Sequence, residues 1–152
     1  MKLAIIHFMP LEYYPPITNL LNFFEYKIDL DVQVYTCHNK KSRKTFDTNR
    51  IGMFRFPFVD SRANKITKLL RYMWFNLGTL FQLILQNPRV VLYYESYSAL
   101  PAYWYKKYFN INARIFIHNH EYFDQKWFDN GMDIVKLYHN TETSFLYPKA
   151  EW

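Results

Sequence analysis

Between Ala113 and Phe123 a short apolar run, Ile115, Phe116 and Ile117, stops abruptly at His118, Asn119, His120 and Glu121. Such a run is long enough for a buried strand and too short for a helix. Strands buried on both faces belong to parallel sheets covered by helices. In open sheets of that kind, ligands sit just beyond the carboxyl ends of the strands. Two imidazoles, an amide and a carboxylate are therefore expected on a working edge.

The same pattern repeats along the chain. Lys2 to Phe8 reads as a first strand, followed by a turn from Met9 to Pro15. Pro16 suits the first position of a helix, and Ile17, Leu20, Leu21 and Phe24 recur at helical spacing behind it. Asp31 to Thr36 alternates as a second strand, ending at Cys37, His38 and Asn39. A basic loop, Lys40 to Lys44, leads to an edge strand from Ile51 to Phe56 that Pro57 stops. Ser61 is the expected cap of a long helix running to about Gln86, ended by Asn87 and Pro88. Val90 to Tyr94 is a fourth strand, and Ser98 is expected to cap a short helix through Phe109 before the fifth. A loop from Asp124 to Gly131 then precedes a last helix from about Met132 to Tyr147.

Strands alternating with helices predict βαβ units. The expected fold is α/β: a Rossmann-like, doubly wound parallel sheet flanked by helices, in a single domain covering residues 1–152. Pro148 to Trp152 reads as the entry to another strand, so a piece of a longer protein is expected.

A chain of 152 residues, half of them hydrophobic and 21% aromatic, can bury a full core and is not disordered. Fourteen Tyr and 14 Phe exceed what one small core needs, leaving rings for a ligand, a partner domain or lipid. The net charge of +6 suits phosphate, nucleic acid or an acidic membrane, and is equally compatible with ordinary solvated lysines. Cys37 is the only cysteine, which excludes an internal disulfide and a Cys-rich metal site and favours a reducing compartment. No signal peptide is visible, and the apolar stretch Tyr72 to Leu85 is shorter than a spanning helix needs. A cytoplasmic location is expected.

His7, His38, His118 and His120 all fall at or just past strand ends, as do Glu95 and Glu121. They would either contact an anionic or hydroxylated ligand or cap backbone groups within the fold. His118 and His120 share a strand face, as metal ligands would, but no other ligand set has recognisable spacing, and no metal is expected. Glu12, Tyr13 and Tyr14 occupy the first strand-to-helix turn, where phosphate normally binds. Gly-x-Gly-x-x-Gly and Walker sequences are both missing, and the chain has just Gly52, Gly78 and Gly131. That turn is not a standard dinucleotide cradle. Lys65, Lys68, Arg71, Trp74 and Phe75 would let the long helix lie on an acidic membrane, although a core helix with a solvated basic edge is the plainer reading. With no RRM, KH or helix-turn-helix pattern, nucleic acid is not expected as a partner.

Taken together, Val91 to Pro101, Arg114 to Tyr122, Asn130 to Met132 and Leu146 to Trp152 resemble the N-terminal half of GT-B-fold glycosyltransferases of the family 4 retaining type. The opening, with Met9-Pro10 and Tyr14 to Leu20, fits the same bacterial subgroup. The resemblance implies two Rossmann-like domains facing across a cleft, the N-terminal one binding the acceptor and the C-terminal one holding a nucleotide-sugar. It implies that His120 approaches the donor sugar as the catalytic histidine after the fifth strand, with Glu121 as the acidic residue behind it. Glu12, Tyr13, Tyr14, Glu95, Ser96 and His118 are the further substrate contacts expected on this side of the cleft. No cofactor is implied, the nucleotide-sugar being a substrate.

Two departures stand out: the glycine pair common in the first turn is absent, and so is an E-x7-E-bearing donor half. The chain alone is therefore expected to be inactive, its partners being the missing donor domain and a glycan or lipid-linked acceptor. An anionic membrane surface, with peripheral attachment at its inner face, and a homodimer of the isolated domain are further expectations. The alternatives are a non-catalytic Rossmann-like binding module or partner subunit, and, more remotely, an RNA-associated basic protein.

Overall fold

A computed structural model of the chain describes residues 1–27, 30–39, 45–57, 62–118, 136 and 140–150. Its centre is β1 (Lys2–His7), in which every residue after Lys2 is buried. Around it, β2 (Asp31–Cys37), β3 (Gly52–Phe56), β4 (Val90–Tyr94) and β5 (Arg114–His118) pair in parallel in the order β3-β2-β1-β4-β5. The chain works outward from β1 to β3, then crosses back over the sheet to β4. The strand order therefore reverses between β1 and β4, which is the topological switch point of such a sheet.

Alternation along the strands feeds two cores. Leu3, Ile5, Val32 and Val34 pack with Ile17 and Leu21 of α1 (Pro15–Lys27) on one face. Ala4, Ile6, Tyr35 and Tyr93 pack on the other face with Phe75 and Leu83 of α2 (Lys65–Gln86) and with Ala99 and Ala102 of α3 (Ala99–Trp104). Helices on both faces make the sheet doubly wound, as the sequence predicts. β3 is an edge strand, again as expected.

Several boundaries differ from the sequence reading, each for a local reason. β1 ends at His7 because the Phe8 amide leaves the ladder and donates to Ser98 Oγ at 2.9 Å. That bond occupies Ser98, which makes no capping bond to α3. α1 starts at Pro15, one residue early, since the Tyr14 carbonyl already accepts from the Ile17 and Thr18 amides. The cap of α2 is Asn64, whose Oδ1 accepts from the Thr67 amide at 2.7 Å; the expected cap, Ser61, lies outside the described residues. At the other end Asn87 closes α2 in the left-handed conformation (φ 47°), its amide donating to Leu83 O.

After α3 the helix widens into a π turn, Tyr105–Phe109, so the helical stretch does reach Phe109. The basic loop Lys40 to Lys44, the loop Asp124 to Gly131 and nearly all of the first half of the helix expected from Met132 lie outside the described residues. Beyond Glu142–Leu146, a second π turn, Ala150 forms a parallel bridge to Ile115, in line with the strand entry expected there.

Candidate functional site

Register carries three rings into one row at the carboxyl end of the sheet. His7 is aligned with Tyr94, and Tyr94 with His118. The His7 and Tyr94 centroids are 6.1 Å apart, those of Tyr94 and His118 4.7 Å, and Tyr14 stands edge-on to His7 at 4.4 Å. His118, the last residue of β5, is exposed.

His7 is fully buried, yet neither ring nitrogen has a hydrogen-bond partner among the described residues. Burial lowers its pKa to about 4, against a smaller upward pull from the Met9 backbone. The imidazole is therefore neutral at pH 7, with one N–H to donate and one nitrogen to accept.

Across the switch point, Glu95 has φ 63° and ψ 150°. That region is populated almost solely by glycine, and a residue held there stores about 1–3 kcal/mol. Two backbone bonds hold it: Glu95 N donates to His118 O at 3.2 Å, and Glu95 O accepts from Ser98 N at 2.9 Å. The strain thus bends the chain sharply off β4 and turns Glu95 to the cavity that His7 also lines. The cavity measures about 260 Å³, and Phe8, Tyr14, Tyr97 and Ser98 supply most of the remaining wall.

The other sequence-predicted residues are placed differently. Glu12 does not line the cavity; its Oε1 lies 3.0 Å from Arg55 Nη2 and accepts from the Phe46 amide at 2.8 Å. Both side chains of that pair are nearly buried, so Glu12 ties the first turn to β3. Tyr13 is half-buried in a 3₁₀ turn, Leu11–Tyr13, and is likewise absent from the lining. Ser96 hydrogen-bonds Glu142, a fully buried carboxyl that also accepts from Tyr93 OH at 2.9 Å. Burial pushes the pKa of Glu142 up, partly offset by those two hydrogen bonds. His38 is exposed beyond β2, its amide donating to Phe56 O. Cys37 is buried, and desolvation pushes its thiol up to about 12, so it is no nucleophile. His120 and Glu121 lie outside the described residues.

Of the residues expected at the site, Tyr14 and Glu95 meet in the cavity, and His118 stands in the adjoining row. Sequence reading put His7 at a strand end without choosing it for the site; its polar ring closing a wholly apolar strand was the available signal. Phe8 and Tyr97 carried none. A neutral imidazole, a carboxylate and aromatic walls suit a small polyhydroxylated ligand with one apolar face.

The fold and the position of this cavity define the class: a Rossmann-like domain whose working edge is the switch point. A solved structure described as the apo form of the lipopolysaccharide outer core galactosyltransferase WaaB aligns with 79% of this chain at 20% identity and a TM-score of 0.53. The likeness establishes the fold, a Rossmann-like α/β domain, and the aligned region covers 33% of that protein's length. Neither a family model nor a curated protein matches the chain.

Proposed function

We propose that this chain is the acceptor-binding half of a retaining glycosyltransferase of the family 4 type, which transfers a sugar from a nucleotide-sugar to a glycan or lipid-linked acceptor. The observation that carries the reading is Glu95, held at φ 63° on the rim of the switch-point cavity that the neutral, buried His7 also lines. Strain of this kind persists where the surrounding structure over-determines it, and it clusters at working sites. The glycosyltransferase fold of the solved relative supports the choice of chemistry.

In this reading the acceptor rests against Tyr14 and Tyr97, with one hydroxyl hydrogen-bonded to Glu95, while the buried imidazole of His7 backs the cavity wall. His118 extends the rim; His120, with Glu121 behind it, is assigned to the donor sugar by the resemblance alone, both lying outside the described residues. Glu12 acts indirectly, by fixing the turn that carries Tyr14. The departing nucleoside diphosphate is stabilised by cationic groups and helix N-termini of a second Rossmann-like domain.

The test is twofold. Saturation-transfer NMR with lipopolysaccharide-derived oligosaccharides should show binding that Glu95→Gln and His7→Phe each weaken at least tenfold. A coupled diphosphate-release assay with nucleotide-sugars should show no turnover by the chain alone. Turnover by the chain alone, or saccharide binding indifferent to both substitutions, would overturn the proposal.

A further inference from the structure

A carboxyl is buried where the core is otherwise apolar. Glu142 heads the second π turn, Glu142–Leu146, and is fully buried. The C-terminal segment does not need it for docking. Leu146 sinks into the core beside Tyr93, Ala99 and Ile115, Phe145 stands edge-on to Tyr103 at 4.8 Å, and Ala150 bridges to Ile115. A carboxyl taken out of water destabilises the fold unless hydrogen bonds compensate. Here compensation is incomplete, since Oε2 has no partner among the described residues.

The bonds that Glu142 does make bracket one residue. Its carboxyl accepts from Tyr93 OH at 2.9 Å and from the Ser96 hydroxyl. Tyr93 lies two positions before Glu95, and Ser96 one position after it. Glu142 itself is absent from the cavity lining. We infer that Glu142 is a positioning residue for Glu95: by gripping the chain on both sides of the strained residue, it keeps that side chain turned to the cavity without touching a ligand. Only the purpose of that aim rests on the sugar-binding reading.

The other restraints on the turn act elsewhere. Glu95 N donates to His118 O, which fixes the peptide entering the strained residue. At the far end, Tyr97 O accepts from Tyr72 OH and Ser98 Oγ from the Phe8 amide. The bond from Ser98 N to Glu95 O closes the turn on itself. Next to Glu95, on its exit side, the hold on the Ser96 side chain comes from Glu142. A residue at φ 63° and ψ 150° relaxes unless its surroundings over-determine both angles. The His118 bond restrains the entering peptide and Glu142 the leaving one.

Satisfying Tyr93 alone would not call for a carboxyl, because a phenylalanine at residue 93 would remove the need. A carboxyl reaches two hydroxyl donors at once, and those two lie on either side of Glu95. The charge of Glu95 in turn adds to the upward push that burial gives the Glu142 pKa, so the two carboxyls sense each other. The C-terminal segment thereby reaches the aim of a cavity residue some fifty positions earlier in the chain.

Tyr93→Phe combined with Glu142→Leu separates this role from a structural one. Replacing both partners of a buried hydrogen bond by apolar groups is nearly neutral for stability, so the melting temperature should stay within about 4 °C of the parent's. The intraresidue amide–Hα NOE of Glu95, strongest at positive φ, should nevertheless weaken. Affinity for the lipopolysaccharide-derived oligosaccharides should fall at least tenfold. Glu142→Gln, which keeps an acceptor for Tyr93 and a polar group for Ser96, should leave NOE and affinity at parent values. Ser96→Ala should reproduce both losses with the core untouched, and decides the matter should the double variant not fold. A stable double variant with the Glu95 NOE unchanged, Ser96→Ala indistinguishable from the parent, or Glu142→Gln losing as much as the double variant would overturn the inference. The NOE is read without saccharide. A parent chain that binds no oligosaccharide while the NOE responds as expected would therefore sink the sugar reading and leave the positioning role standing.

Discussion

The buried imidazole of His7 should make the stability of this domain depend on pH in a defined window. An ordinary histidine titrates at 6.5, whereas burial lowers His7 to about 4. Between those values the unfolded chain binds a proton that the folded chain refuses, so stability falls as pH drops from 6.5 toward 4. At pH 5 the loss amounts to about 2 kcal/mol, approaching about 3 kcal/mol below pH 4. Above pH 6.5 both states carry a neutral ring and His7 contributes no slope. Glu142 works in the opposite sense: its raised pKa favours the folded state at low pH and is lost as pH rises through the folded value.

The two contributions separate by difference. Urea unfolding of the parent chain and of His7→Phe, at pH 7.5 and pH 5, reads the stability change directly from the midpoints. His7→Phe keeps the ring buried and every carboxylate in place, so Glu142 and the surface groups cancel. The parent should lose about 2 kcal/mol more than the variant between the two pH values. Equal losses in both proteins, or none in the parent, would mean that the imidazole reaches solvent or a partner, and the neutral-ring argument would fail.

Three further substitutions follow from the same geometry. Glu95→Gly should stabilise the domain by about 1 kcal/mol through relief of the positive φ, while Glu95→Gln should leave stability nearly unchanged and remove the charge from the cavity; thermal melts distinguish them. Glu12→Gln should cost about 3 kcal/mol, because Arg55 is left nearly buried without its counter-charge, and a lowered urea midpoint measures it. Gly78→Ala should destabilise despite the better helix propensity of alanine, since the new Cβ would lie 2.5 Å from a ring carbon of buried Phe56. Overpacking of that order costs about 1–3 kcal/mol, again read from thermal melts.

The strands were legible because burial on both faces leaves a short, nearly unbroken apolar signature, as in Val90–Tyr94 and Arg114–His118. Their parallel pairing followed from the alternation with helices, whereas their order in the sheet came from the structure. Caps were harder: Ser61 and Asn64 are both good capping residues, and the choice depends on where the chain leaves β3, which composition does not record. The facing of α2 was illegible for a stronger reason. Its apolar stripe predicts burial, but the inward side is built from Asn76 and Thr79 beside Phe75 and Leu83. The signal that normally reports the core here falls on the exposed side, at Leu70, Trp74, Leu77 and Phe81. Glu95 gave its chemistry away but not its conformation, because only glycine announces a positive φ in sequence.

Both costs to stability at the site fall on the two strands that flank the switch point. β1 buries an imidazole whose nitrogens have no hydrogen-bond partner among the described residues, and a strained glutamate follows β4. Neither feature helps the sheet: an apolar ring at residue 7 and a glycine at residue 95 would pack and turn at least as well. Their joint location, facing one cavity, is what a requirement for ligand contact would produce. The Phe8 amide bond to Ser98 Oγ then joins β1 to the turn after β4, so displacement of either rim is felt by the other. Through Tyr72 and Tyr97 the same turn is coupled to α2.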